Sequence, residues 1–506
     1  SVEQMYYGNQ QFLFVYEQFD DVRLVAAPPS SIGKFGGDTD NWIWPRHTGD
    51  FSMFRVYASK DNRPAAYSPQ NVPYRPKKHF SISTKGVKEG DFTMIYGFPG
   101  NTQEYILSDA VAYIAERSDP AKIAVRTGRL DIITKAQESD PALRIHYAAK
   151  HASIANAWKK WQGEALGIDR RGTVAAKFDY ETQFGLWSVG RPEYAGVVMG
   201  LRAEYDRIMD AYFAYEITRE TLSTLPAAYT PEERSEECFA RRKFAEQALW
   251  RHAFREYGRC PKVYRTPSYA EGMARYKSPE AYADALFEAV WEGSDSVAMQ
   301  PAVRLREETK RMLDHISWML GTKSLRNLNS KILNELYTTY IKGLREWDRE
   351  RAFYPDANLT LRVAYGSVAG YEYADGEYHK PQTTLDGIIA KDNPEIYDYD
   401  IPQSLRDLYA SKNYGRWGTV IDGRRTVPVC FLATNHTTGG NSGSPVLNAG
   451  GELIGINFDR TWRSTMSDIA FDPAICRNIA VDIRYVLFVV DRVGGAGYLL
   501  KEMTLK

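Results

Sequence analysis

The chain has 506 residues, a length that predicts roughly three domains at about 150 residues each. Hydrophobic residues make up 43% and charged residues 25%, as in a globular protein, and 64 Lys and Arg balance 64 Asp and Glu. No sustained basic block is present, which argues against a nucleic-acid-binding surface. No run of about 18 apolar residues occurs, which argues against a membrane-spanning helix.

The chain starts at Ser1 without an initiator Met and soon runs into the strand-like "QFLFVYEQF". We expect a processed or cut product, so the lack of a signal peptide says little about the compartment. The cysteines show no CxxC spacing, which makes a zinc site an unfavoured interpretation. Cys238 and Cys260 could form a disulfide, or these two together with Cys430 and Cys476 could remain buried free thiols.

The first part of the chain has the texture of short strands. Residues 1–105 contain β-branched and aromatic runs, such as "DFSMFRVYA" and "DFTMIYGFPGN", that Gly and Pro interrupt. We predict a β region over these residues.

The middle part, residues 106–355, changes to helical periodicity. Apolar residues recur every three or four positions in "ALRIHYAAKHASIANAWKKW", "EECFARRKFAEQALWRHAFREY", "RLREETKRMLDHISWML" and "SKILNELYTTYIKGLREW". Pro141, Pro231 and Pro279 fall near the starts of helical stretches, where a first-turn proline is tolerated.

Strand texture returns in residues 356–506. In "LTLRVAYG" the apolar Leu359, Leu361, Val363 and Tyr365 alternate with other residues, which predicts a half-buried strand. No period of 20–50 residues is found, so a solenoid is not supported. The order β, α, β predicts a mostly β domain interrupted by a large helical insertion.

The ten residues 436–445 read "HTTGGNSGSP" and raise the question of a nucleophile at Ser442. A serine hydroxyl attacks a carbonyl when a base takes its proton and donors meet the oxyanion. Glycines allow a positive φ and could bring the amides of Gly440 and Ser442 towards one point. An ordinary Gly/Ser turn before a strand is the alternative interpretation.

Asp50 is the second candidate, because it opens the hydrophobic strand "GDFSMF". Two-barrel serine proteases keep the carboxylate that orients the catalytic imidazole at such a place. The alternative is a turn residue after Gly49. Asp50 and Ser442 lie 392 positions apart, so a protease requires the helical block to be an insertion.

Five segments then resemble the bacterial dipeptidyl-peptidase 7 and 11 family, a group of chymotrypsin-clan serine exopeptidases. They are "FGGDTDNWIWPRHTGDFS", "IANAWKKWQG", "QTTLDGIIAK", "TTGGNSGSPVLN" and "GINFDRTW". The resemblance spans nearly the whole chain. It implies an α+β protein with a double β-barrel and a helical lid domain, a homodimer without metal or organic cofactor, and a periplasmic or cell-surface location.

By this resemblance Ser442 is the nucleophile, Asp50 the triad carboxylate and Gly440 an oxyanion donor. Residues 1–105 would be the remainder of the first catalytic barrel, 106–355 the lid, and 356–506 the second barrel with the nucleophile.

The resemblance also assigns Asn41, Trp42, Asn156 and Asp459 to the α-ammonium of an oligopeptide substrate. A carboxylate and two amide oxygens suit an ammonium group, which has donors to satisfy and a charge to neutralise. An amine held two residues from the scissile bond limits the product to dipeptides. From the residues alone, the two asparagines could equally be capping or surface amides, and Trp42 a core aromatic.

Arg460 lies 18 positions after Ser442, at the end of the strand that should line the first specificity pocket. A guanidinium there could pair bidentately with a P1 carboxylate. An arginine at this position resembles the acidic-specific dipeptidyl-peptidase 11 branch. The alternative is an Arg460 that only pairs with its neighbour Asp459.

A catalytic triad also needs a histidine, which the family carries well upstream of the triad aspartate. His47 lies three residues before Asp50 and His436 six before Ser442, and neither position fits the base. We therefore expect the base upstream of Ser1. The interpretation is a serine dipeptidyl-peptidase that prefers Asp or Glu at P1; a glutamyl endopeptidase and a non-catalytic peptide-binding pseudoprotease are the alternatives.

Overall fold

The computed structural model describes residues 1–293, 297–321 and 328–506. Within them the chain divides into two units. The first, the mixed unit, comprises residues 1–5, 11–104 and 355–506, and the second, the helical unit, comprises residues 6–10 and 105–354. The predicted combination of helices and sheet is confirmed.

The strands in chain order are β1 (Val2–Met5), β2 (Gln10–Leu13), β3 (Val22–Ala26), β4 (Met53–Ala58), β5 (Val72–Pro73), β6 (Phe92–Gly97), β7 (Arg362–Ser367), β8 (Tyr371–Ala374), β9 (Glu377–His379), β10 (Gln382–Thr384), β11 (Thr419–Ile421), β12 (Arg424–Thr426), β13 (Pro428–Ala433), β14 (Ser444–Leu447), β15 (Leu453–Arg460) and β16 (Asn478–Asp482).

The α-helices are α1 (Ser30–Gly33), α2 (Ser108–Ala112), α3 (Asp119–Ser139), α4 (Pro141–Arg170), α5 (Thr173–Ser188), α6 (Val197–Glu220), α7 (Pro231–Ser235), α8 (Lys243–Tyr257), α9 (Pro267–Tyr276), α10 (Pro279–Glu292), α11 (Gln300–Met319), α12 (Lys331–Trp347), α13 (Leu385–Lys391), α14 (Gln403–Ser411) and α15 (Ile483–Phe488). Two π-helical segments span Tyr113–Ser118 and Val489–Val493. Short 3-10 segments span Leu222–Thr224, Ala240–Arg242, Lys262–Tyr264, Tyr397–Tyr399, Gly415–Trp417, Trp462–Asp468 and Gly497–Glu502.

A seven-stranded antiparallel sheet organises the mixed unit. Its strand order is β10-β13-β16-β15-β14-β6-β7, so β6 from the first part of the chain pairs with β14 and β7 from the last part. An isolated antiparallel bridge also pairs Val368, just after β7, with Ala433 at the end of β13. A separate three-stranded sheet, β3-β4-β5, has strands on both sides of Asp50 in the chain: β3 precedes Asp50, and β4 and β5 follow it.

The central strands of this sheet are buried on both faces. All six residues of β13 are buried, as its continuous run "PVCFLA" leads one to expect. Phe431 packs into one apolar cluster with Ile95 and Val446, whereas its neighbours Cys430 and Leu432 point into a larger cluster. These two cores hold β13 and β14, the strands that flank the candidate nucleophile.

The helical unit has a core of its own, and prolines mark the starts of three of its helices, as the sequence predicts. Pro141, Pro231 and Pro279 occupy first-turn positions of α4, α7 and α10. The Asp140 side chain caps α4 by accepting a hydrogen bond from the Ala142 amide. Leucines and isoleucines of α3, α4 and α8 pack together, which accounts for the period of three to four in these segments.

A half-buried strand is present near residue 363, but its large apolar side chains lie on the exposed face. Val363 and Tyr365 are 49% and 74% exposed, whereas Ala364 and Gly366 face inwards. The reason is the segment after β13, because a Cβ on Gly366 would lie 2.4 Å from the Thr434 hydroxyl. Small residues are needed on the inner face here.

The four cysteines are buried free thiols, so the Cys238–Cys260 disulfide is not formed. No helix in the described ranges has both the length and the apolar character needed to cross a membrane.

Candidate active site

Ser442 lies exposed on the turn between β13 and β14. Its hydroxyl donates a hydrogen bond to the Phe458 carbonyl on β15, at 3.2 Å. Gly440 has φ +105°, and a Cβ there would lie 2.5 Å from the Phe98 carbonyl oxygen. Glycine is therefore required at 440 both by the backbone angle and by the close neighbouring chain.

The amides of this turn fall into two groups. Those of Asn441, Gly443 and Ser444 donate to backbone carbonyls. For the amides of Gly440 and Ser442 the described residues provide no acceptor. These two donors are the ones that the sequence assigns to the oxyanion.

Three buried asparagines fix the turn to the sheet. The Asn441 side-chain oxygen accepts the Thr438 amide at 3.1 Å, and its carbonyl accepts Nδ2 of Asn457 at 3.2 Å. Asn478 in turn donates to Oδ1 of Asn457 at 2.9 Å. The sequence analysis missed this network, although Asn441 and Asn457 both lie in quoted segments, "TTGGNSGSPVLN" and "GINFDRTW".

Asp50 precedes β4 by three residues and interacts electrostatically with β15, the strand that the Ser442 hydroxyl contacts. Partial burial raises the pKa of its carboxyl group, Arg46 opposes that rise, and Asp459 adds to it. Asp459 directly follows Phe458, whose carbonyl accepts the Ser442 hydroxyl. Asp50 and Ser442, far apart in sequence, therefore belong to one neighbourhood of the mixed unit.

Arg46 is the residue that links these parts, and the sequence analysis did not single it out. Its Nη1 donates to Oδ2 of Asp459 at 2.7 Å, and both side chains are about nine-tenths buried. Its Nε donates to the Thr48 hydroxyl at 2.7 Å. The only sequence signal for Arg46 was its place in the quoted segment "FGGDTDNWIWPRHTGDFS".

Trp42 adopts a strained backbone conformation next to Arg460, the candidate specificity residue. Its φ of +68° lies in the left-handed region, which is unusual for a bulky residue. The Trp462 amide donates to the Trp42 carbonyl at 2.5 Å, and Cζ of Arg460 lies 5.7 Å from the Trp42 ring centroid. Strain of this kind persists where surrounding structure enforces it, often at ligand-binding sites.

The segment before Asn41 is anchored by Asp40. This buried carboxylate accepts Nζ of Lys391 at 2.7 Å and the Tyr399 hydroxyl at 2.9 Å. Asn156, the other predicted amide, is exposed on α4 of the helical unit.

Arg460 ends β15 with its side chain buried, at 4% exposure. Its Nη1 and Nη2 donate to the two carboxylate oxygens of Asp468 at 2.6 and 2.7 Å. Nη1 also lies 2.8 Å from the Ser467 hydroxyl and 3.2 Å from the Thr437 carbonyl. The guanidinium thus pairs with Asp468, whereas Asp459 pairs with Arg46 and accepts the Arg460 backbone amide.

Of the two histidines nearest in sequence to the triad candidates, His47 is buried and His436 is half-buried. Burial, with Lys391 and Arg46 nearby, lowers the pKa of His47 to about 3. His436 contacts Glu104 through Nδ1 at 3.2 Å and the Ser467 carbonyl through Nε2 at 2.9 Å. The expectation of a base upstream of Ser1 stays a prediction.

One side-chain cluster in the described residues has the composition of a metal site. Ligand atoms of His146, Glu236 and Cys238 lie within 4.8 Å of one another in the helical unit. However, Arg242 donates to Nε2 of His146 at 2.7 Å and lies 3.4 Å from Glu236. A buried guanidinium already neutralises this cluster, so its charge does not favour a second cation.

Comparison with known proteins gives close relatives over the whole chain. An Asp/Glu-specific dipeptidyl-peptidase of Capnocytophaga gingivalis is 43% identical, with 100% of this chain and 76% of the relative covered. A dipeptidyl-peptidase 7 of Phocaeicola vulgatus is 35% identical over 99% of this chain and 74% of its own length. The chain spans about three quarters of these relatives.

Solved structures agree with this similarity. The crystal structure of Porphyromonas endodontalis DPP11 matches with a TM-score of 0.86 and 34% identity, covering 100% of this chain and 78% of that one. The same protein in complex with the dipeptide Arg-Glu matches with a TM-score of 0.83. The family model of peptidase S46 matches residues 1–232 and 232–505. The chain belongs to the peptidase S46 family.

Proposed function

We propose that this peptidase releases dipeptides from the free N-termini of oligopeptides with Asp or Glu at P1. The observation that carries the proposal is the buried guanidinium of Arg460, on the strand whose Phe458 carbonyl accepts the Ser442 hydroxyl. A buried guanidinium on the strand that contacts the proposed nucleophile favours an acidic substrate side chain. The names of relatives such as the Capnocytophaga gingivalis enzyme support the same substrate class.

The proposed chemistry is acyl transfer to Ser442. A histidine upstream of Ser1 takes the hydroxyl proton, and Asp50 orients its imidazole. The amides of Gly440 and Ser442 donate to the oxyanion, and water then hydrolyses the acyl-enzyme. These steps require only side chains and backbone amides.

The dipeptide length follows from an amine-binding group of Asn41, Trp42, Asn156 and Asp459. The Asp459 carboxylate accepts from Arg46 and from the Arg460 amide, contacts that fix its orientation. A carboxylate offers about four lone-pair sites, so the substrate ammonium can share it with Arg46. The resemblance is the basis for including Asn156.

We infer that residues 356–506, with β6, build the second barrel of a chymotrypsin-like pair and that residues 1–105 belong mainly to the first. The bridge between Val368 and Ala433, which ties the β7 edge back towards β13, supports this. Homodimerisation and a periplasmic or cell-surface location rest on the family resemblance. Light scattering and cell fractionation test them.

The test is dipeptide release by the full-length enzyme from matched peptides with Glu, Asp or Leu at P1, each with a free or an acetylated amine. We expect release from the free-amine Asp and Glu peptides only, and none by Ser442→Ala. Equal cleavage of acetylated peptides would instead indicate a glutamyl endopeptidase. Binding without turnover would indicate a peptide-binding pseudoprotease.

A further inference from the structure

We propose that Asp468 is a specificity-determining positioning residue, which holds the Arg460 guanidinium in the orientation that receives a P1 carboxylate. The inference rests on the proposed function, because it takes Arg460 as the residue that meets the P1 side chain. Asp468 itself acts through Arg460.

The geometry of the pair is that of a tight two-point contact. Both carboxylate oxygens of Asp468 accept from different nitrogens of Arg460, at 2.6 and 2.7 Å. The two side chains are 15% and 5% exposed, so little water competes for them. A planar guanidinium that donates two hydrogen bonds to one carboxylate cannot rotate about its long axis. The direction of its remaining N–H groups is therefore fixed.

Asp468 is itself held in place by the 3-10 segment Trp462–Asp468. At the first end of this segment, the Trp462 amide donates to the Trp42 carbonyl. At the last end, the Asp468 carbonyl accepts the Gln103 amide at 2.6 Å. The segment therefore joins the proposed amine-binding residue Trp42 to the proposed specificity residue Arg460. It fixes both ends of the bound dipeptide relative to each other.

Ser467, in the same 3-10 segment, also contacts the Arg460 guanidinium. Its hydroxyl accepts Nη1 of Arg460 at 2.8 Å, and its carbonyl contacts Nε2 of His436. Because Ser467 is neutral, its removal tests orientation without leaving an unpaired charge.

Asp468→Asn changes the hydrogen-bonding pattern while keeping the shape. The amide NH2 of Asn would face one of the Arg460 Nη groups, donor against donor, so the two-point grip is lost. We expect the ratio of kcat/KM for P1-Glu to kcat/KM for P1-Leu peptides to fall roughly 10- to 100-fold. The loss should appear mainly in KM for the Glu peptide.

The matched control is Asp482→Asn. Asp482 pairs with Arg484 through both oxygens, at 2.9 and 2.7 Å, and both side chains are buried in the same unit. Loss of a structural Asp–Arg pair changes stability and affects all substrates alike. The Glu/Leu ratio of Asp482→Asn should therefore equal that of the unmodified enzyme.

A double-mutant cycle with Arg460→Met separates the possible failures. If Asp468 acts through Arg460, then Asp468→Asn has no further effect on the Glu/Leu ratio once Arg460 is Met. An unchanged ratio in Arg460→Met alone would overturn the role of Arg460 in the proposed function. A changed ratio in Arg460→Met with an unchanged one in Asp468→Asn would overturn only the role of Asp468.

Ser467→Ala keeps the test decisive if the charge variants fail to fold. We expect this variant to lower the Glu/Leu ratio roughly two- to tenfold, since one neutral hydrogen bond to the guanidinium is lost. A ratio equal to that of the unmodified enzyme would contradict the positioning role.

Discussion

Arg46 interacts with both carboxylates that the proposed mechanism uses, those of Asp459 and Asp50. It pairs directly with Asp459 and its charge lowers the pKa of Asp50 against the rise that burial causes. Asp50 must be ionised to orient an imidazolium. Arg46 therefore extends activity towards lower pH.

We expect Arg46→Gln to move the acidic limb of the kcat/KM profile to higher pH. Removal of the cation raises the pKa of Asp50, and the unpaired Asp459 charge raises it further. The measurement is kcat/KM against pH with a free-amine Glu peptide. The control is Arg463→Gln, which breaks a pair with Glu377 in the same unit. An acidic limb at the same pH as in the unmodified enzyme would refute this role.

His47 makes the folded state sensitive to acid. Burial and the nearby cations Lys391 and Arg46 lower its pKa from 6.5 to about 3. Between these two pH values the unfolded chain therefore binds a proton at this histidine, whereas the folded chain does not. Stability is therefore present above pH 6.5 and is lost as the pH falls towards 3, by roughly 2 kcal/mol at pH 5.

We expect His47→Gln to flatten the dependence of the free energy of unfolding on pH between 6.5 and about 3. Urea titrations at several pH values measure this slope, whatever the variant's absolute stability. The exposed His79, replaced in His79→Gln, is the control and should keep the slope of the unmodified protein. An equal slope in His47→Gln would mean that other groups cause the acid sensitivity.

At the residue scale, the sequence analysis singled out the candidate reacting groups but not their partners. Ser442 and Asp50 were recognisable because Gly-x-Ser-Gly and Gly-Asp before a strand have local signatures. The Arg46–Asp459 pair joins residues 413 positions apart, and no local pattern reports such a contact. The Asp468 partner of Arg460 was missed because the 3-10 segment has no hydrophobic period.

The turn between β13 and β14 is the element that carries the candidate nucleophile Ser442. Gly440→Ala places a methyl group 2.5 Å from the Phe98 carbonyl at a positive φ. We expect kcat to fall roughly 100-fold or more, because the oxyanion amides are displaced. Steady-state kinetics on a P1-Glu peptide measure the loss.

Gly439→Ala is the matched control for this turn. Its Cβ would meet nothing within 4 Å, and its φ is not in the left-handed region. We expect activity close to that of the unmodified enzyme. Equal losses in both variants would show that the turn tolerates no side chain at all, and would remove the argument for Gly440 as an oxyanion donor.

At the element scale, periodicity predicted helices well and strand facing poorly. The helices α4, α11 and α12 lie where the three-to-four spacing indicates. α8 begins at Lys243, later than its pattern indicates, because a 3-10 turn precedes it. The alternation of Val363 and Tyr365 was correct, but alternation alone does not say which face meets the core.

At the scale of the whole molecule, the helical unit has the properties of an independent domain. Its apolar cluster is built from α3, α4 and α8, with Leu130, Ile133, Tyr147, Ile154 and Leu249 among its members. All of these residues lie within 105–354, and only the short segment 6–10 joins the unit from elsewhere in the chain. The sequence predicted a helical block here from texture alone, since composition changes at both of its ends.

We expect a fragment of residues 105–354 to fold by itself, because a domain with its own core does not need the rest of the chain. Far-ultraviolet circular dichroism should show helix, and heating should give one cooperative transition. A fragment of residues 105–235 is the control: it lacks α8 and thereby Ala245 and Leu249 of the core. It should not unfold cooperatively. If the longer fragment also lacks a transition, the helical block depends on the mixed unit for its stability, and its description as a separate domain would be wrong.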